Sequence, residues 1–249
     1  MKIRTILVSQ PEPKNDKSHY FDLAEKHHLR IDFRPFIKVE GCTVKEFRSQ
    51  RITISEYSAV VFTSKTAIDH YFRIAGELKF SIPDTMKYFC TTESIALYLQ
   101  KYIVYRKRKI FHGTNTFSDM ADVLKKHSSE NFLVPLSDIS KNDISDLLKN
   151  MKIKHTQVTL YKTVSADLSD IVGLDYDMLV FFSPAGIKSL YDNFPDFVQN
   201  DTKIAAFGPA GDTVVASGLR LDVPAPTKDA PSMTMAIDMF ITEHNKKFK

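Results

Sequence analysis

The chain has 249 residues, of which 43% are hydrophobic and 26% are charged, so it can fold as one large or two small domains and is not a disordered chain. No apolar run approaches the roughly 20 residues that cross a bilayer, and we expect no membrane contact. The formal net charge of +4 is small. Its concentration at residues 106–109 is more typical of a solvated loop than of a nucleic-acid-binding surface, and we expect no nucleic-acid partner.

Apolar segments of strand length alternate with helical patterns along the whole chain. In chain order, the sequence predicts a strand over 5–8, a helix over 20–27, strands over 31–33 and 36–39, a strand over 59–63 and a helix over 67–74. The same alternation continues to the C-terminus. It is typical of an α/β fold with largely parallel sheets.

The chain also repeats itself. Residues 60–68 (VVFTSKTAI) align with residues 179–187 (LVFFSPAGI), and each segment is a strand, a serine and the start of a helix. Further pairs keep the same order: 87–90 with 203–206, 92–94 with 208–210, 118–124 with 232–237, and 5–39 with 131–163. We interpret this order as a duplication of two units, A-B-A-B. Each A-B pair has the length of a flavodoxin-like domain with about five strands, and the cleft between two such domains is the natural ligand site.

Most familiar site motifs are missing. The sequence lacks GxxxxGK[ST], GxGxxG, HExxH and GxSxG, and its histidines are scattered, so we expect neither a cofactor nor a metal. Cys42 and Cys90 lack CxxC spacing, which predicts buried, unreactive thiols rather than a disulfide or zinc site. The apolar run at 6–8 is too short for a signal peptide, which favours a cytoplasmic location.

In their order and spacing, four segments resemble the uroporphyrinogen-III synthase family. They are FTSKTA at 62–67, VTLYKT at 158–163, FFSPAG at 181–186 and AAFGP at 205–209. Two positions depart from the family pattern. Ala210-Gly211 stands where a pair of threonines is common, and Ser9-Gln10 replaces a basic residue after the first strand.

The resemblance implies two flavodoxin-like α/β domains with parallel sheets, joined by a two-stranded linker, with a cleft between them. The first would comprise residues 1–36 and 168–249 and the second residues 42–160, with strand-like linkers at about 37–41 and 161–167. It also implies a cyclising lyase of haem biosynthesis without cofactor or metal, which converts hydroxymethylbilane to uroporphyrinogen III with loss of water and inversion of ring D. The expected partners are this polycarboxylate substrate and, transiently, hydroxymethylbilane synthase. We expect a monomer.

A substrate with many carboxylates needs many hydrogen-bond donors, and helix N-termini supply them. Ser64 and Ser183 would cap their helices whether or not they bind substrate. The glycine turn at 208 would let a ligand approach closely, although a plain tight turn has the same sequence. The predicted substrate-binding residues are Ser64, Lys65, Thr66, Thr92, Ser94, Ser183, Pro184, Ala185, Gly186, Gly208, Pro209 and Ala210.

Tyr161 is the predicted catalytic residue. Loss of the substrate hydroxyl needs a proton donor, and Tyr161 matches the family's best candidate, a phenol that stays protonated at neutral pH. The alternative is an amphipathic tyrosine at a domain hinge. Much of the catalysis would come from folding the flexible substrate into a shape ready to close.

Three other interpretations stay open or are disfavoured. A non-catalytic two-domain protein that binds a small molecule, or a regulator of the same fold, would show the same pattern of elements. An inactive relative of the family is compatible with the departures at Ser9-Gln10 and Ala210-Gly211. A receiver domain needs an acidic pocket after the first strand, and residues 6–10 supply no Asp or Glu.

Overall fold

The structure is a computed structural model that describes residues 2–15, 17–114, 117–140, 143–171 and 173–247. It divides into two compact units, Met1–Lys38 with Val164–Lys249, and Val39–Thr163. The first unit therefore takes its strands from both ends of the chain.

Helices and strands alternate in chain order, as the sequence pattern predicts. The N-terminal part of the first unit contains β1 (Thr5–Val8), α1 (His19–His27) and β2 (Arg30–Phe33). The middle of the chain contains β3 (Ile37–Gly41), α2 (Val44–Ser49), β4 (Ala59–Phe62), α3 (Lys65–Glu77), β5 (Lys87–Cys90), α4 (Glu93–Tyr98), β6 (Ile110–His112), α5 (Ala121–Lys126), β7 (Phe132–Ser137), α6 (Asp143–Asn150) and β8 (His155–Ser165). The C-terminal part contains β9 (Met178–Phe181), α7 (Pro184–Asn193), β10 (Lys203–Phe207), α8 (Pro209–Ala216), β11 (Val223–Ala225) and α9 (Met233–Lys246).

The sheet of the first unit has five strands among the described residues, in the order β11-β10-β9-β1-β2. All four neighbouring pairs are parallel, with Leu7 beside Asp32 on one side and Leu179 on the other. Counted along the chain, this is the flavodoxin-like order 2-1-3-4-5. In such a sheet the strand order reverses next to the first strand, between β1 and β9, and ligands bind beyond the carboxyl ends of the strands at that point.

The second unit repeats this order in permuted form. Its described sheet runs β3-β8-β7-β4-β5-β6, and the four pairs from β8 to β6 are parallel. Strands β7 and β8 take the places of β1 and β2, and β4, β5 and β6 take those of β9, β10 and β11. The predicted parallel α/β fold is confirmed. About five strands were expected, but the described sheet of this unit has six, because β3 is hydrogen-bonded to β8.

Each sheet buries apolar side chains on both faces, because successive residues of a strand point to opposite sides. In β4, Val60 and Phe62 belong to one hydrophobic cluster and Val61 to the cluster on the other face. In β1, Val8 and Leu7 divide in the same way. Strands buried on both faces explain the continuous apolar runs in the sequence.

Both cysteines are buried, as the sequence predicts. Cys42 and Cys90 are free thiols, and both are buried. Burial raises the pKa of the Cys90 thiol to about 12, so it stays protonated near neutral pH. The prediction of buried thiols without a disulfide is confirmed.

Residues 118–124, which the repeat aligns with 232–237, are α-helical only in their second half. Residues Phe117–Met120 form a 3₁₀ turn, and the α-helix starts only at Ala121. Side chains three residues apart eclipse one another in a 3₁₀ turn. This geometry turns both Phe117 and Met120 into the core, where they are 6% and 1% exposed.

Replacing Phe62 by alanine tests this core. The ring of Phe62 is fully buried between Tyr71, at 5.5 Å, and Tyr88, at 6.2 Å. We expect Phe62→Ala to lower the free energy of unfolding by about 3–5 kcal/mol, because it leaves a cavity in a packed core. Urea denaturation followed by circular dichroism measures the change. Val104→Ala is the control, since Val104 is 78% exposed; equal effects of the two variants would contradict this assignment of the core.

Candidate active site

Two serines follow equivalent strands and cap the helices that come after them. Ser64 has φ −154° and ψ 159°, and its Oγ accepts a hydrogen bond from the Ala67 N–H at 3.0 Å. Ser183 has φ −151° and ψ 152°, and its Oγ accepts from the Gly186 N–H at 3.2 Å. The predicted capping role is confirmed for both. Both caps lie beside the point of each sheet where the strand order reverses.

The first turns of these helices offer different donors. Lys65 and Thr66 occupy the first two positions of α3, where an N–H group has no acceptor within the helix. Helices α7 and α8 instead begin with Pro184 and Pro209, which have no N–H. In the first unit, the amide donors at these edges therefore come from the next residue of each helix.

Those next residues are Ala185 and Ala210. Ala210 is 0% exposed as a whole residue and belongs to the hydrophobic cluster beneath α8. Gly211 is buried too, and a Cβ there would lie 3.3 Å from Leu221 Cδ2. A threonine pair would therefore meet packed apolar atoms at this position.

Gly208 precedes α8 with φ 56° and ψ −132°, a backbone conformation open almost only to glycine. Its N–H donates to the Ala225 carbonyl at 2.6 Å. A Cβ at this position would meet nothing within 4 Å, so conformation and not space requires the glycine. At the equivalent place in the second unit, Thr92 is extended and its side chain makes no cap hydrogen bond in the described structure, while Ser94 is exposed.

Ser9 replaces the basic residue expected from the family pattern, and it is buried. It is 8% exposed, and its N–H donates to the Val180 carbonyl at 3.0 Å. A Cβ placed on Gly186 would lie 3.7 Å from Ser183 Oγ and 3.8 Å from Ser9 Oγ. The first strand of this chain thus ends in a small hydroxyl next to the serine cap.

The structure brings Tyr161 and Ser64 together across 97 residues of sequence. Tyr161 lies in β8 and is 8% exposed, and its Oη is 3.2 Å from Ser64 Oγ. Because Ser64 Oγ already accepts from Ala67, its single proton can be donated to Tyr161 Oη. In that arrangement the phenol keeps its own proton for another acceptor.

Two contacts of Tyr161 and its neighbour were not predicted from the sequence. The His70 ring on α3 stacks on the Tyr161 ring, with 5.3 Å between centroids and 19° between planes. Lys162, the next residue, forms an ion pair with Glu46 at 2.6 Å. The stack has no local sequence signal, because it joins a helix to a strand from a different part of the chain.

Glu46 also belongs to a capping box at 43–46, which the sequence does signal; its contact with Lys162 has no local signal. Glu46 accepts from the Thr43 N–H at 2.8 Å and from its hydroxyl at 3.0 Å, while its other oxygen meets Lys162. The hydrogen bond from Lys162, followed by those from Thr43, lowers the pKa of Glu46 to about 2. This carboxylate links the start of α2 to β8 beside the tyrosine.

A cluster on α3 and α4 orients Lys65. Its ammonium lies 5.4 Å from the centre of the Tyr98 ring, a favourable cation–π distance. The Tyr98 hydroxyl donates to Asp69 at 3.0 Å, and Lys101 pairs with the same carboxylate at 2.9 Å. The ring that holds the Lys65 ammonium is therefore fixed by its own polar contacts.

A cavity of about 490 Å³ lies in the first unit near the amino ends of β9 and β10, lined among others by Tyr176, Asp177 and Lys203. It is at the opposite edge of the sheet from Ser183. No group of three or more His, Cys, Asp or Glu residues within the described ranges is placed to hold a metal. No described helix is both long and apolar enough to span a bilayer.

Parallel sheets in flavodoxin-like order, with capped helices and polar groups at their carboxyl edges, define an α/β protein of the class that binds small molecules at strand ends. The family model for uroporphyrinogen-III synthase HemD matches residues 18–235. The chain belongs to this family. Its members are cyclising lyases (EC 4.2.1.75) of haem biosynthesis, and uroporphyrinogen-III synthase is the function that this membership supports.

A solved structure supports the fold. The chain is similar to the uroporphyrinogen-III synthetase of Helicobacter pylori 26695, with 14% identity, a TM-score of 0.54, and coverage of 97% of this chain and 100% of that one. A mutant uroporphyrinogen III synthase from the extremely thermophilic bacterium Thermus thermophilus is also 14% identical, with a TM-score of 0.49 and coverage of 98% of this chain and 99% of that one. No curated protein matches this chain by sequence.

Removing either serine cap should destabilise the protein. We expect Ser64→Ala and Ser183→Ala each to lower the free energy of unfolding by about 1 kcal/mol, the usual cost of a lost cap. Urea denaturation of both variants measures this. Ser94→Ala is the control, because Ser94 is exposed in the first turn of α4. Unchanged stability in Ser64→Ala would show that the cap contributes nothing.

The Glu46 contacts should make stability depend on acid pH. The folded-state pKa of about 2 lies below the ordinary value of 4.5, so the contribution of Glu46 is complete above about pH 4.5 and is lost as the pH falls towards 2. We expect Glu46→Gln to flatten this part of the curve of unfolding free energy against pH. Urea denaturation at a series of pH values measures it. Glu25→Gln, at an exposed site on α1, should keep the wild-type curve, and coincident curves for Glu46→Gln and wild type would refute the assignment.

Proposed function

We propose that this chain cyclises hydroxymethylbilane to uroporphyrinogen III, with Tyr161 as the proton donor to the leaving hydroxyl. The observation that supports this role is the 3.2 Å contact between Tyr161 Oη and Ser64 Oγ at the N-terminus of α3. It joins a weak acid to a helix end that attracts anions.

The proposed chemistry starts with breakage of the bond between the hydroxymethyl carbon and its oxygen. Tyr161 gives its proton to that oxygen, water leaves, and the pyrrole nitrogen supplies electrons to the carbon that becomes cationic. The phenolate that remains accepts a hydrogen bond from Ser64. Ring D then attacks this carbon and a spiro intermediate forms. Rearrangement and ring closure release one proton, which restores the phenol. The net change is loss of one water molecule.

Helix N-termini are proposed to hold the substrate carboxylates. In the second unit, Lys65 and Thr66 offer backbone N–H groups, and Lys65 adds an ammonium held over Tyr98. In the first unit, Ala185 offers an N–H group behind Pro184, whereas Ala210, also proposed as a substrate-binding residue, is buried at the start of α8. The remaining substrate-binding proposals are Ser64, Thr92, Ser94, Ser183, Pro184, Gly186, Gly208 and Pro209.

Three further parts of the proposal concern the setting of the reaction. Unaided closure of hydroxymethylbilane gives the type I isomer, so a transient contact with hydroxymethylbilane synthase would limit its time in solution. The cytoplasm is the proposed location. The proposed linkers between the domains are residues 37–41 and 161–167.

A coupled assay tests the function and the donor together. Purified protein is mixed with freshly generated hydroxymethylbilane, and the oxidised products are separated into type I and type III uroporphyrin. We expect mainly type III from the wild type, and a fall of about 10- to 100-fold in Tyr161→Phe, at or below the lower end of what a general acid contributes. The fall stays partial because shaping of the substrate carries much of the catalysis.

Tyr57→Phe is the matched control, since Tyr57 is a buried tyrosine of the same hydrophobic cluster. It should keep nearly the wild-type rate. Type I alone, at the rate seen without protein, would overturn the synthase proposal and favour a non-catalytic binding protein. Type III formation at an equal rate in Tyr161→Phe and wild type would overturn only the donor role.

A further inference from the structure

The phenol ring of Tyr161 is held at two places by the same helix. Ser64, the cap of α3, meets its oxygen at 3.2 Å. His70, in the second turn of α3, covers its face with a nearly parallel ring whose centroid is 5.3 Å away. A hydrogen bond fixes the position of the oxygen, and the stack fixes the tilt of the ring.

His70 is itself fixed by Arg73. The Arg73 Nε–H donates to His70 Nδ1 at 3.2 Å, so this nitrogen acts as an acceptor and the imidazole is neutral. Arg73 in turn donates to the Cys42 carbonyl at 2.6 Å and pairs with Glu77 at 2.6 Å. Burial, and then the positive charge of Arg73, lower the pKa of His70, which agrees with a neutral ring.

The end of β3 leaves just enough room for this arrangement. A Cβ at position 41 would lie 2.6 Å from Arg73 Nη2 and 2.7 Å from His70 Nδ1, closer than a Cβ approaches neighbouring atoms in proteins. Gly41 therefore lets the backbone of β3 pass beside both side chains, so that the next carbonyl can accept from Arg73.

We propose that His70 is a positioning residue, which holds the Tyr161 ring so that its oxygen stays beside Ser64 and its proton is directed to the substrate. A neutral ring suits this place, because the proposed reaction creates a cation near the phenol. The catalytic part of this inference depends on the proposed function. The placement of the ring does not.

The placement is tested by NMR of protein with ¹³C-labelled tyrosine rings. The Tyr161 signals are assigned by their absence in Tyr161→Phe. We expect these signals to shift and broaden in His70→Ala, which removes the stack. In His70→Phe, which keeps a flat ring over the phenol, they should stay sharp, although their chemical shifts differ from those of the wild type. Tyr161 signals in His70→Ala that coincide with those of the wild type would overturn the proposal, and this arm needs no substrate.

The catalytic part is tested with the isomer assay. We expect kcat for type III formation to fall about tenfold in His70→Ala with KM within about twofold, because the donor is misplaced while substrate binding remains. His70→Phe should recover kcat to within about threefold of the wild type. In a Tyr161→Phe background, His70→Ala should cause no further loss, since His70 acts through the phenol.

Several results would overturn the catalytic part. These are a kcat within about twofold of wild type in His70→Ala, equal losses in His70→Ala and His70→Phe, or additive losses with Tyr161→Phe. Thermal denaturation of each variant shows whether it is folded under the assay conditions. A wild type that forms only type I would overturn the proposed function and the catalytic role together, while the NMR arm would still decide the placement.

Discussion

The Ser64 hydroxyl is the group on which the arrangement around Tyr161 depends. It has one proton and two lone pairs, and it serves two partners. By accepting from the Ala67 N–H it caps α3, and its hydroxyl can donate a hydrogen bond to Tyr161 Oη. Helix capping and the state of the phenol are thereby linked through one oxygen atom. When Ser64 donates its hydroxyl proton to the Tyr161 oxygen, the phenol proton stays free for another acceptor.

The duplicated units share their caps but differ in chemistry. Ser64 and Ser183 have nearly the same backbone angles and make the same kind of cap bond. In the alignment of 5–39 with 131–163, however, Tyr161 falls opposite Ile37. Proline also removes an amide donor from α7 and α8 in the first unit. The phenol and the lysine therefore belong to the second unit, while the first offers backbone donors at its helix ends.

The fold was largely predictable, because parallel strands buried on both faces leave apolar runs that are easy to recognise. The serine caps were predictable as well, since a serine between a strand and a helix has few other local roles. The pairing of β3 with β8 was expected only from the family resemblance, as a two-stranded linker, because a short strand pattern by itself carries no information about its neighbour in a sheet. Tyr161 was identified through family resemblance and not through spacing or periodicity.

The sequence by itself determined the α/β class, the duplication, the caps and the burial of both cysteines, since these follow from patterns within a few residues or from two similar segments. Only the tertiary structure decided which groups surround the tyrosine. His70 reaches it from α3 and Glu46 binds its neighbour Lys162 from α2. These contacts join residues about a hundred positions apart, and they exist because the folded sheet places β3, β8 and the start of α3 together, which no local pattern encodes.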